Sequence, residues 1–353
     1  MPRTTRHLTL ANGLQLNLRH APQLKRSAAA LRVHAGSHDA PARWPGLAHF
    51  LEHLLFLGTA RFALTDGLMR HVQRLGGEVN ASTAERHTDF FFEVPPAGLD
   101  GALLRLCDML AEPQLDLQRQ LREREVIHAE FIAWSRDHQA QRRFALLQAV
   151  SPRHPLSGFH AGNRYSLPLR DPAFQQALRG YHQRFYQGGQ ITLSLTGPQS
   201  LDELEQLARR HAALFAYATR LRPETPAPLG DGPLRLRQAP ASHCDLLFAH
   251  EALPAGALQA LELLLDLLRD NRPGGWLAEL RRRGWLQACS AQPLYAHAGQ
   301  LLWHIELQLT ATASPGQVQD LLEGWLGFIR QQDLRRLNAC LLYTSDAADD
   351  TPC

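Results

Sequence analysis

Between residues 44 and 59 the chain is apolar almost throughout, yet this stretch carries the pattern His49-Phe50-Leu51-Glu52-His53. Periodicity places residues 46–56 in a helix that is buried nearly all round, because no polar stripe is left to face water. Its histidines are therefore expected in a low-dielectric wall and not on a wet surface. On a helix, two residues four apart lie about 40° apart around the axis, so both imidazoles reach one point with Glu52 beside them. Burying three polar side chains without a partner is costly. A shared metal ion removes that cost, since imidazoles are standard zinc ligands and an adjacent carboxylate is a standard base.

A catalytic zinc takes three protein ligands and keeps its fourth position for water, so a third ligand is required. The segment Arg122-Glu123-Arg124-Glu125-Val126-Ile127-His128-Ala129-Glu130 offers three carboxylates. Glu123 and Glu130 share one helix face about two turns apart, and spacing does not choose between them. Glu125 reads equally well as a solvated helix charge. His128 faces elsewhere, and His71, His87 and His160 read as surface residues or as supports around the site.

The rest of the chain reads as alternating strands and helices. Asn12-Gly13 is a two-residue turn signal between the alternating segments 7–10 and 14–18, which predicts a β-hairpin. Further strands are expected at 28–35, 79–82, 88–94 and 190–196. Helices are expected at 66–75, 99–111, 118–150 and 201–215, with a loop at 154–165. Prolines and glycines crowd residues 221–234, a linker composition. Strands near 234–238, 244–250, 287–295 and 301–310, with helices at 257–269 and 317–332, then begin a second α+β unit.

Composition excludes several classes of function. The net charge is +3, and the basic residues, all arginine except Lys25, are scattered among acidic ones, so no nucleic-acid surface is indicated. No run approaches the roughly 20 apolar residues of a membrane span, and no signal-peptide pattern opens the chain. Five cysteines without a CxxC pair read as free thiols in a reducing compartment, so the cytoplasm is the expected location.

His53 and Glu130 are 77 positions apart, and with this spacing the chain resembles the pitrilysin/insulinase family of zinc peptidases, the inverzincins. The resemblance implies one Zn2+ per chain held by His49, His53 and Glu130, with Glu52 as general base and Glu123 in the acidic position that supports a ligand. Gly76-Gly77-Glu78-Val79-Asn80-Ala81-Ser82-Thr83 is similar to the family's substrate-pairing strand, which implies that Asn80, Ala81 and Thr83 contact substrate. The implied fold is α+β, two consecutive pitrilysin-type α/β-roll domains, each an antiparallel sheet with helices packed on one side, the second truncated. Residues 1–220 are then the catalytic zinc domain, 221–234 the linker and 235–337 the second, non-catalytic domain.

The implied activity is zinc-dependent endopeptidase cleavage of small peptides. Residues 121–126 and 129–134 are most similar to the branch of the family that works in pyrroloquinoline quinone (PQQ) biosynthesis, which implies the PQQ precursor peptide as substrate. General degradation of oligopeptides is the alternative, and a non-catalytic scaffold subunit is another; such scaffolds lose a ligand or the base, and all four residues are present here. In this family a second half closes over the peptide, so a missing C-terminal half or a partner subunit is expected, and the chain alone is expected to cleave poorly. Residues 338–353 resemble a translated sequencing-adapter read, the other reading being a disordered acidic tail; the natural chain is expected to continue past residue 337.

Overall fold

The computed structural model describes residues 4–222, 224–230, 234–236 and 243–332. The chain separates into two compact units, one built from residues up to Arg143 with Gly158–Glu224, the other from Phe144–Ser157 with the chain from Thr225 onward.

In the first unit, strands β1 (Thr5–Thr9) and β2 (Gln15–His20) form the expected antiparallel hairpin. Gly13 turns it with φ 89°, and a side chain there would meet the Ala218 carbonyl at 2.4 Å. There follow β3 (Ser27–Val33), helices α1 (Leu47–Leu55) and α2 (Leu68–Arg74), strands β4 (Glu78–Thr83) and β5 (Thr88–Val94), and helices α3 (Leu99–Ala111), α4 (Leu117–Trp134) and α5 (His138–Leu147), of which residues 144–147 belong to the second unit. Helix α6 (Pro172–Phe185), strand β6 (Ile191–Gly197) and helix α7 (Leu201–Ala212) complete the elements of this part of the chain.

The six strands lie in the order β1-β2-β6-β3-β5-β4. Pairing is antiparallel except between β2 and β6, which run parallel, so the sheet is mixed where an antiparallel one was expected. Strict alternation in β3, β5 and β6 sends Ala29, Leu31, Val33, Phe90, Phe92, Leu193 and Leu195 to one face. That face packs on α1, α3, α6 and α7 through Phe50, Leu106, Phe174 and Leu204, while the opposite face carries Arg32, Asp89 and Thr192. Each fully buried Leu or Phe of this set contributes about 1.5–3 kcal/mol.

Two helices differ from the sequence reading. The helix expected over 118–150 is broken at Ser135–Asp137 into α4 and α5, with the Ser135 hydroxyl donating to the Ile132 carbonyl and Asp137 accepting the Gln139 N–H. Helix α6 was not anticipated, although Asp171 caps it by accepting the Ala173 N–H and Pro172 opens its first turn.

The second unit holds β7 (Leu234–Leu236), β8 (His243–His250), α8 (Ala257–Arg269), α9 (Trp276–Arg282), β9 (Leu286–His297), β10 (Gln300–Leu309) and α10 (Pro315–Ile329). Its strands run in the order β7-β8-β10-β9, all antiparallel. One face packs Leu246, Trp303, Ile305 and Leu307 on the three helices through Leu265, Trp276 and Leu322. Leu247, Tyr295 and Leu302 on the other face are covered by Leu146, Val150, Leu156 and Leu229. Residues 144–157, which the sequence places inside the 1–220 domain, thus group with the second sheet. Within the span read as linker, Leu229 is buried and receives the Ser151 N–H at 2.7 Å. His154, also buried, donates to Gln300 Oε1, and Gln300 donates in turn to the Ala227 carbonyl. Helix α9 was not anticipated.

Among the described residues, no helix is long and apolar enough to cross a membrane. Cys107, Cys244 and Cys289 are free thiols. Cys340, Cys353 and the adapter-like segment 338–353 lie outside the described residues.

Candidate metal centre

Helix α1 buries Leu47, Ala48, Phe50, Leu51, Glu52, Leu54 and Leu55. Its two histidines are only partly covered, with side chains 24% and 18% exposed for His49 and His53. The expected dry wall is therefore an opening: the face of α1 that carries both imidazoles is reached by solvent while the rest of the helix is core. The long spacing to Glu130 is closed by α4. Asp116 caps that helix by accepting the Arg119 N–H, and the Arg119 side chain donates to the Leu57 carbonyl just past the end of α1. Only Gln120 and Ile127 of α4 are buried, so it is a surface helix laid along α1.

This arrangement brings together His49, His53 and Glu130, whose ligand atoms all lie within 4.8 Å of one another. Glu130 Oε2 stands 3.7 Å from His49 Nε2 and 3.6 Å from His53 Nε2. Tetrahedral zinc with ligands at about 2.05 Å separates them by about 3.3–3.4 Å, so these distances are within a few tenths of an ångström of the requirement.

The protonation pattern fits a cation as well. His49 Nδ1 lies 2.7 Å from the Ala161 carbonyl and His53 Nδ1 lies 2.8 Å from Glu123 Oε1, and in each pair the oxygen accepts, so each Nδ1 is the donor. Both Nε2 lone pairs then face the Glu130 carboxylate. Three acceptors converging without a donor repel one another unless a positive charge sits among them, and a divalent ion meets that need. Burial by itself lowers the pKa of His53, but the hydrogen bond to Glu123 and the charges of Glu130, Glu123 and Glu52 outweigh it, and the net shift is upward. The same negative field that favours a proton there favours a metal ion.

Glu52, buried at 7% exposure, accepts a 2.5 Å hydrogen bond from the Thr83 hydroxyl. Thr83, named from sequence as a substrate contact, thus spends its side chain on the carboxylate beside the histidines. Asn80 is exposed and Ala81 half-buried on β4, which among the described residues pairs only with β5 and so forms an edge of the sheet. Asn80 Oδ1 accepts the Ala81 N–H at 2.9 Å, a local contact that an incoming peptide carbonyl can replace. Glu123 does not reach the ligand cluster; it holds His53 from behind. Glu125 pairs with Arg124 and Arg164, which lowers its pKa. His128 packs between Phe131 and Tyr165, His160 against His38, and His87 lies 3.6 Å from Asp89. His71 is partly covered beside Arg105, its pKa lowered first by burial. The Ala161 carbonyl is a contact to His49 that sequence reading missed, because a backbone acceptor leaves no trace in residue identity.

The model described as insulinase (peptidase family M16) matches residues 16–159, and that of the peptidase M16 inactive domain matches residues 174–335. The chain belongs to the insulinase, or M16, peptidase family. Among M16 proteins it is 67% identical over 338 residues to "Coenzyme PQQ synthesis protein F" of Pseudomonas putida, covering 96% of this chain and 43% of that protein. It is 29% identical over 340 residues to "Protease 3" of Escherichia coli, covering 93% of this chain and 35% of that protein. The crystal structure of pitrilysin superposes with a TM-score of 0.83 at 27% identity, covering 94% of this chain and 37% of that one. The chain therefore spans less than half the length of these M16 relatives.

Proposed function

We propose that this chain is the zinc-binding part of a metalloendopeptidase that processes the peptide precursor of PQQ. The observation that carries the reading is the convergence of His49, His53 and Glu130 on one point, with the Glu52 carboxylate on the same turn of α1. His49 and His53 would hold the ion through Nε2 and Glu130 through a carboxylate oxygen. The chemistry a zinc ion supplies in such a site is acidification of water and polarisation of the scissile carbonyl.

The protein's own groups do the rest. Glu52 takes the proton from the attacking water and delivers it to the leaving amine, held in place by the Thr83 hydroxyl. A peptide lies extended along the free edge of β4, where main-chain hydrogen bonds give affinity with little dependence on side chains. Substrate choice follows the relatives named for coenzyme PQQ synthesis, at up to 67% identity. Residues 1–220 supply the catalytic domain in this reading and 235–337 a non-catalytic one, and the compartment is the cytoplasm. Because the chain spans 43% of that relative, turnover by the chain alone should be slow, the covering half being supplied by further sequence or by a partner subunit.

Single-turnover incubation of the zinc-loaded chain with precursor peptide, read by mass spectrometry, tests the assignment. Slow cleavage is expected, and Glu52→Gln should retain zinc while cutting the rate at least a hundredfold. Equal rates for parent and variant would refute the role of Glu52, and a chain without stoichiometric zinc would favour the scaffold reading.

A further inference from the structure

We propose that the loop of residues 158–166 is a positioning strap, which locks the start of α1 onto α4 and fixes His49 as the Nδ1–H tautomer with Nε2 free to bind metal. This deepens the zinc reading above and rests on it for its functional meaning. The two histidines are held differently. His53 Nδ1 has a carboxylate partner, Glu123, carried by α4 itself. His49 Nδ1 has only the backbone carbonyl of Ala161, so its orientation is as good as the placement of that loop.

Three sets of contacts place the loop. At α1, Gly162 (φ +84°) meets Gly46 (φ +90°), the residue before the helix, backbone to backbone: a Cβ on Gly46 would fall 2.2 Å from Gly162 Cα, and one on Gly162 would fall 3.1 Å from Gly46 Cα. Both φ values lie in the left-handed region that favours glycine. Against α4, Phe159 packs edge-on to Phe131 at 5.5 Å and tilted on Trp134 at 5.8 Å. Tyr165 meets His128 edge-on at 5.8 Å, and Arg164 Nε donates to Glu125 Oε2 at 3.0 Å. The α4 partners Glu125, His128, Phe131 and Trp134 fall every third residue and so form an oblique row that winds about half-way round the helix, ending at Trp134 near the face that carries Glu123 and Glu130. Within the loop, Asn163 Oδ1 accepts the N–H groups of Tyr165 and Ser166, which closes the turn directly after Gly162. A single short segment therefore grips the helix of Glu130 through an oblique row of four side chains and delivers its carbonyl to the histidine of the other helix.

The test uses the full chain labelled with 15N-histidine, without metal, in a two-bond nitrogen–proton correlation spectrum assigned with His49→Gln. The parent should show His49 as the Nδ1–H tautomer. Gly162→Ala puts a Cβ 3.1 Å from Gly46 Cα at a φ of +84° that disfavours alanine, so the loop is strained and must shift there, and Phe159→Ala releases it from α4 without adding atoms, so it serves if the first variant does not fold. In either, His49 should become a mixture of tautomers while His53 is unchanged, and the zinc dissociation constant should rise 10- to 100-fold. A parent with His49 as Nε2–H, or folded variants that bind zinc within twofold of the parent, would overturn the proposal. A parent with the Nδ1–H tautomer that binds no zinc would uphold the strap and refute the zinc reading instead.

Discussion

Replacing Glu123 by Gln separates the ligand set from the group that holds it. Glu123 is 16% exposed, and its Oε1 accepts the His53 Nδ1–H at 2.8 Å, a charge-assisted contact with the partner ring largely covered. Glutamine is the same size and can present its amide oxygen to the same proton, so packing is preserved and only the charge is removed. Hydrogen bonds to charged groups contribute about 1.5–3 kcal/mol against about 0.5–1.5 for neutral ones, so the change should cost about 1.4 kcal/mol. That is about a tenfold weaker zinc dissociation constant, and Glu123→Ala, which removes the acceptor as well, should approach the hundredfold end of the range for such supporting groups. Competition with a chromophoric chelator at neutral pH measures both, with Glu205→Gln, a surface partner of Arg6 and Arg209, as the control. If Glu123→Gln bound zinc as tightly as the parent, the argument that His53 owes its ligand strength to Glu123 would be wrong.

Two further outcomes test the fold around the site. His34 lies among Arg220, Arg32 and His87, and burial first, then these positive neighbours, bring its pKa from 6.5 down to about 4, against the opposing charge of Asp89. The unfolded chain then binds the extra proton between these values, so this part of the stability is complete above pH 6.5 and is lost as the pH falls toward 4. The whole displacement corresponds to about 3 kcal/mol, and solvent access to the half-buried ring reduces the expectation to about 1.5 kcal/mol. Urea unfolding at stepped pH should show this slope in the parent and a shallower one in His34→Gln; identical slopes would contradict the assignment. Phe174, fully buried on α6, meets Trp44 edge-on at 5.5 Å and lies 6.4 Å from Phe50 of α1. Phe174→Ala should lower unfolding free energy by about 3–5 kcal/mol, and a loss below about 1 kcal/mol would mean that α1, the helix of His49 and His53, does not depend on α6 for its seating.

The site was more legible in the sequence than the sheet that supports it. His49, Glu52 and His53 announce themselves because polar groups inside an apolar helix need a reason to be there, and local spacing puts them on one turn. Choosing Glu130 over Glu123 was beyond helical periodicity, since both share a face, and came only from the resemblance to a family whose ligand glutamate follows the second histidine by 77 residues. The structure separates them by depth: Glu130, half exposed, meets both Nε2 atoms, while Glu123, largely covered, stands behind His53. The hairpin at Asn12-Gly13 and the alternation in β5 were local signals and were readable. Parallel pairing of β2 with β6 joins residues near 15–20 to residues near 192–197, and no local pattern encodes a partner so far away. The break between α4 and α5 has neither proline nor glycine to mark it, only Ser135 and Asp137, short polar residues that bond to nearby backbone. Helix α6 did carry a start signal, Asp171-Pro172, whose meaning depends on the apolar stripe Phe174, Leu178, Tyr181 and Phe185 that follows it.

Zinc K-edge X-ray absorption on the dialysed, zinc-loaded chain, compared with Glu130→Ala, measures the metal environment directly. The parent is predicted to hold one ion in a four-coordinate nitrogen and oxygen shell with the scattering pattern of two imidazoles, and Glu130→Ala to lose a protein oxygen from it. A chain that leaves dialysis without zinc, or a shell that Glu130→Ala does not change, would contradict the account.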